Sequence, residues 1–91
     1  MKMMDREKVK VFQVRQLVQL EDIANELRQK YSSNPDVELT INTLKFAIDR
    51  LSTRDTYHLY RYLRDLHAAK EKYREFSRLF PTFDEVKELL S

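Results

Sequence analysis

The chain has 91 residues, of which 42% are hydrophobic and 35% are charged, and it contains neither glycine nor cysteine. This length predicts a single domain over residues 1–91, and the composition excludes disulfides, thiolate zinc sites, a cysteine nucleophile and glycine-rich phosphate loops within it. Seventeen Lys and Arg residues against fifteen Asp and Glu residues leave a net charge of +2, which is too small to indicate a nucleic-acid binder by itself.

The first predicted helix covers residues 4–31. Its apolar positions at helical spacing predict one core stripe, and Val11, Val14 and Val18 lie on the opposite side of the helix. Gln13 and Gln16 interrupt the core stripe. We expect their amides to be solvated or hydrogen-bonded at the edge of the core; the alternative is a polar pair that sets the register of an oligomer. The core stripe itself consists of Val9, Phe12, Leu17, Leu20, Ile23, Ala24, Leu27 and Tyr31.

The second predicted helix covers residues 36–50. Asn34 is a favourable N-cap residue, and Pro35 suits the first helical position. Leu39 and Phe46, seven residues apart, lie on the back of this helix. Its core stripe consists of Val37, Ile41, Leu44, Ile48 and Leu51.

The third predicted helix covers residues 53–79, with Ser52 and Asp55 resembling a capping box at its start and Pro81 preventing its continuation. Opposite its core face runs a line of residues spaced three and four apart, which we call the basic-aromatic stripe. Its members are Tyr57, Tyr60, Arg64, His67, Glu71, Arg74 and Arg78, with Arg61 beside them. The core face consists of Leu59, Tyr62, Leu63, Leu66, Ala69, Tyr73, Phe76 and Phe80.

The basic-aromatic stripe has three interpretations. Arginine binds carboxylates or phosphates through its forked guanidinium, and tyrosine anchors protein interfaces or stacks on bases, so a protein or a nucleic acid can use such a line. The alternative is a solvated face with pairs such as Glu75–Arg78 along the helix. Glu71 within the line argues against a phosphate ligand.

The fourth predicted helix covers residues 83–90 and begins with a capping box formed by Thr82 and Glu85. The four segments predict an all-α fold, namely a small antiparallel helical bundle of three main helices plus a short C-terminal helix. The lack of a long apolar segment predicts that the protein does not enter a membrane, and the N-terminus does not resemble a signal peptide. We therefore expect a cytoplasmic location.

The search for catalytic and metal sites gives no candidate. His58 and His67 are the only histidines, and their separation of nine residues places them on different sides of the third helix. A metal site needs three or four ligands, and the serines lack the glycine-dependent turn of a nucleophile elbow. We expect no metal, no cofactor and no small-molecule substrate.

The sequence thus favours a non-catalytic protein–protein interaction module, such as a small regulator, inhibitor, immunity protein or accessory subunit. Its partner, or a second copy of the chain, would bind through the basic-aromatic stripe or through Val11, Val14 and Val18. These valines, with Leu39 and Phe46, exceed what one bundle core needs, unless the fourth helix or the termini cover them. The alternatives are a nucleic-acid-associated regulator that uses Arg61, Arg64, Arg74 and Arg78, and, less favoured, a dimeric enzyme with a site between its subunits.

Overall fold

The computed structural model describes residues 5–51 and 56–90, and it confirms an all-α bundle. The helices are α1 (Arg6–Lys30), α2 (Pro35–Asp49), α3 (Tyr57–Lys72) and α4 (Phe83–Leu90), with a 3₁₀ helix over Arg74–Leu79 between α3 and α4. The bundle is elongated and measures 42 × 18 × 17 Å.

The first three helices run up, down and up. Two contacts fix α1 and α2 as antiparallel neighbours: Arg28 Nε donates to Glu38 Oε2 at 2.9 Å near one end, and Gln13 Nε2 donates to the Ile48 carbonyl at 2.8 Å near the other. At the centre, the Tyr62 hydroxyl of α3 donates to Gln16 Oε1 of α1. Both glutamine amides therefore form hydrogen bonds within the chain, as the first interpretation expects for Gln13, but Gln16 is buried inside the core and not at its edge.

The 3₁₀ helix and α4 form a fourth segment that runs back along α1. Four ion pairs follow the two segments in order. From the C-terminal end of α1 its charges run positive, negative, positive and positive, and the fourth segment carries the opposite sign at each step. All of these side chains except that of Glu75 are at least partly exposed, so each pair adds little stability, but the matching order of charges favours this alignment of the two segments. The pairs are Lys30–Glu75 at 2.6 Å, Glu26–Arg78, Arg15–Glu85 at 3.5 Å and Lys8–Glu88 at 3.4 Å.

Local capping chemistry begins two of the helices as predicted. Asn34 Oδ1 accepts from the backbone N–H groups of Asp36 and Val37 at the start of α2, with Pro35 in the first turn. At α4 the capping box is complete, since the Thr82 N–H donates to Glu85 Oε1 and the Glu85 N–H donates to Thr82 Oγ1, both at 3.1 Å. The predicted box of Ser52 and Asp55 lies outside the described residues.

The core confirms most of the predicted stripes and adds two apolar residues, Ala47 and Leu79. Leu79, which helical periodicity left off the core face, is fully buried beside Phe76, whereas the predicted core residue Phe80 is only half-buried. Tyr31 is also more exposed than its stripe predicted. The buried apolar side chains are Val9, Phe12, Leu20, Ile23, Ala24, Leu27, Val37, Ile41, Leu44, Ala47, Ile48, Leu59, Tyr62, Leu66, Ala69, Phe76, Leu79 and Leu89.

The prediction of one helix over residues 53–79 was wrong beyond residue 72. The backbone becomes extended at Tyr73 (φ −135°, ψ 105°), and the chain continues as a 3₁₀ helix. Tyr73, Phe76 and Leu79 follow one another at intervals of three, which is the period that aligns side chains on one face of a 3₁₀ helix. The break lets Phe76 and Leu79 enter the core, and it shortens α3 to ~24 Å.

A polar cluster stabilises the end of the bundle where this break occurs. The Tyr73 hydroxyl donates to Asp36 Oδ2 at 2.6 Å, and Lys72 Nζ donates to Asp36 Oδ1 at 3.0 Å. The hydrogen bond from Tyr73 is the main reason that the pKa of Asp36 lies below its ordinary value, and the same bond raises the pKa of Tyr73 to about 12. The cluster thereby joins the first turn of α2 to the end of α3.

Candidate protein-interaction surface

Three valines form an exposed apolar line on α1. Val11, Val14 and Val18 are 58%, 51% and 60% exposed, so the described part of the chain does not cover them. Their spacing of three and four residues places them on one side of the helix, away from the core stripe. We call them the valine face. They lie between the flank of α1 that contacts α2 and the flank that pairs with α4.

An open groove adjoins the valine face. It has a volume of about 410 Å³ and lies between the first half of α1 and α4. Val11, Phe12 and Leu89 supply its apolar lining, and Arg15 and Glu85 stand among its charged side chains. Because Val11 belongs both to the valine face and to the groove, the two form one continuous surface. The groove was not predicted from the sequence, in which the amphipathic pattern of α4 is the only feature that points to it.

The back of α2 carries a second, smaller apolar patch. Leu39 is 64% exposed and Phe46 is 57% exposed, as their positions predicted. The guanidinium of Arg50 lies 4.5 Å from the centre of the Phe46 ring, which gives this patch a cationic edge. Its apolar part is narrower than the valine face, because the exposed polar residues Asn42 and Thr43 lie between its two large side chains.

Only part of the predicted basic-aromatic stripe lies along a single helix. Tyr57, Tyr60, Arg61, Arg64 and His67 are exposed on α3, and Arg61 Nη1 donates to the Tyr57 hydroxyl at 3.5 Å. His67 Nε2 lies 3.8 Å from Glu71 Oε1, so the one acidic member of the stripe sits beside its histidine.

Arg74 and Arg78 do not extend the stripe, which corrects the prediction of a single line. Both lie on the 3₁₀ helix, beyond the change of direction at Tyr73. Arg78 donates to Glu26 of α1 and to the carbonyl oxygen of Glu75, so the expected side-chain pair of Glu75 and Arg78 is replaced by pairs to α1. The row of arginines that favoured a nucleic-acid ligand is therefore interrupted.

The described residues contain no group of three or more side chains suited to hold a metal ion. No helix within 5–51 and 56–90 is both long and apolar enough to cross a membrane. The strongest perturbations of pKa values occur in structural contacts: burial raises the pKa of Tyr62, and the hydrogen bond to Asp36 raises the pKa of Tyr73.

Comparison with known proteins gives no relative: no family model, no curated protein and no solved structure matches the chain.

Proposed function

We propose that this protein is a non-catalytic interaction module that binds a protein partner through the valine face of α1. The observation that carries the proposal is the exposure of Val11, Val14 and Val18 in one line that continues into an apolar groove. Contiguous apolar surface of this kind is typical of a contact with another protein, because leaving it in water is unfavourable.

The charges around this surface also support a protein partner. Cations and anions both border the groove, including Arg15 and Glu85, and a mixed border suits a protein surface better than a phosphate backbone. The alternative of a nucleic-acid-associated regulator rests on the part of the basic-aromatic stripe that lies on α3. There Arg61 and Arg64 could bind phosphates, but Glu71 on the same helix would repel them.

Photocrosslinking tests the proposal directly. A photoreactive amino acid replaces Val14 in one variant and the exposed Ser77 of the 3₁₀ helix in a control variant. In an extract of the cells that make the protein, we expect a defined protein adduct from position 14 and none from position 77. The adduct partner, once purified, should bind the wild type and lose most of its affinity for Val14→Asp but not for Ser77→Asp.

A titration with nucleic acid at two salt concentrations distinguishes the alternative. If the affinity for duplex DNA or RNA is high and falls steeply between about 50 and 200 mM salt, the nucleic-acid function is favoured. If position 14 forms no more adducts than position 77, the valine face is not a binding surface and the proposal is wrong.

A further inference from the structure

The distribution of charge along α1 indicates what covers the valine face. Residues 6–15, called here the basic half, carry four basic side chains and one acidic one, whereas residues 16–26, the acidic half, carry three acidic side chains and no basic one. The last turn of α1 adds Arg28 and Lys30, which pair with Glu38 and Glu75 within the chain. The valine face lies across the boundary between these halves. A second copy of α1 that runs in the opposite direction would therefore bring each basic half against an acidic half.

We infer that the valine face binds a second copy of this chain, with the two α1 helices antiparallel. The inference rests on the proposed function and names its partner.

Two exposed charges beside the valines set the register. Lys10 and Glu21 lie on the same flank of α1, ~16 Å apart along its axis. Neither lies within 4 Å of an opposite charge in the described part of the chain; Glu21 acts electrostatically on Arg28, whose ion-pair partner is Glu38. A two-fold axis midway between them places Lys10 opposite Glu21 of the second copy, and Glu21 opposite the second copy's Lys10. In this register Val14 lies opposite position 17 of the second copy, one residue from its Val18.

The antiparallel direction is favoured over the parallel one. In a parallel pair, basic half would face basic half, with Lys10 beside Arg15 of the second copy, and the acidic halves would also face each other. Like charges in contact are unfavourable and select against that arrangement.

The size of the surface predicts a weak dimer. Three half-exposed valines and the adjoining groove form a small interface, and interfaces of this size belong to weak or transient complexes. Sedimentation equilibrium from about 10 µM to 1 mM should show the average mass rising from 11.1 kDa towards twice that value.

Charge reversal tests the register. Lys10→Glu and Glu21→Lys each replace two attractive contacts by two repulsive ones, so each variant should dimerise about tenfold more weakly than the wild type. The double variant restores opposite charges in the antiparallel register and should recover dimerisation. An equimolar mixture of the two single variants should also associate more strongly than either alone, because each supplies the charge that the other lacks.

Several outcomes would overturn the inference. Lys10 and Glu21 are both exposed, so circular dichroism should show unchanged helicity in every variant. Differences in average mass between the variants and the wild type then measure association alone. If the wild type stays at 11.1 kDa throughout, no dimer forms; if the double variant is as weak as the single ones, the antiparallel register is wrong. If a monomeric chain still gives an adduct with a different protein at position 14, this inference fails while the proposed interaction function stands.

Discussion

Replacing Leu79 with alanine tests the break between α3 and the 3₁₀ helix. Leu79 is fully buried in the structure, although helical periodicity places it off the core face. Truncating a buried leucine to alanine costs about 2–5 kcal/mol, whereas a surface truncation costs about 0.5 kcal/mol or less. A domain of this length has a free energy of unfolding of about 5–15 kcal/mol, so Leu79→Ala should remove a large share of it.

Thermal and urea unfolding followed by circular dichroism measure this cost. For a loss of about 3 kcal/mol we expect the melting temperature to fall by roughly 10–25 °C. Leu39→Ala is the matched control, because it removes the same atoms from a side chain that is 64% exposed. If the two variants lose the same small amount of stability, residue 79 does not point into the core and the described break is wrong.

Three further predictions concern polar groups. Tyr62→Phe should cost about 1–3 kcal/mol of unfolding free energy, because it leaves Gln16 Oε1 buried and unsatisfied. The double variant with Gln16→Leu should cost less than the two single changes together. Strictly additive costs in urea unfolding would contradict a shared hydrogen bond. The pKa of Asp36 is lowered chiefly by Tyr73, so the carboxylate stabilises the fold above its ordinary value of 3.8, and this contribution is lost as the pH falls through the lowered value. Asp36→Asn should therefore show a smaller loss of melting temperature on acidification than the wild type, and identical pH profiles would argue against the cluster. Asn34→Ala removes the two capping hydrogen bonds of α2 and should cost about 1 kcal/mol in urea unfolding, whereas Asn34→Asp should retain most of that stability.

The features that sequence predicted well depend on neighbours a few residues apart. Asn34 caps α2, and Thr82 with Glu85 caps α4, because both motifs need only nearby backbone N–H groups. The exposure of Val11 and Val14 likewise follows from the 3.6-residue period of one uninterrupted helix.

The features that sequence missed depend on residues far apart in the chain. Tyr73 leaves the helical conformation where its hydroxyl binds Asp36, which is 37 positions away, and no local pattern indicates that contact. Apolar residues at 73, 76 and 80 also fit the 3.6-residue period of an α-helix. Leu79 was therefore the only apolar residue that distinguished this period from the three-residue period of a 3₁₀ helix. The groove beside the valine face could not be predicted either, because it exists only where α4 docks through pairs such as Lys8–Glu88, 80 positions apart.

The light attachment of α4 has a consequence for the exchange of backbone amides with solvent. An isolated helix of eight residues is unstable in water, Leu89 is the one fully buried side chain of α4, and the ion pairs to Lys8 and Arg15 supply at most about 1 kcal/mol each. α4 is therefore the element that detaches at the lowest free energy, and its amides should take up deuterium well before those of α2. Each time α4 detaches, Phe12 becomes exposed next to Val11. The apolar surface available to a partner is therefore largest in the minor population of molecules in which α4 is detached.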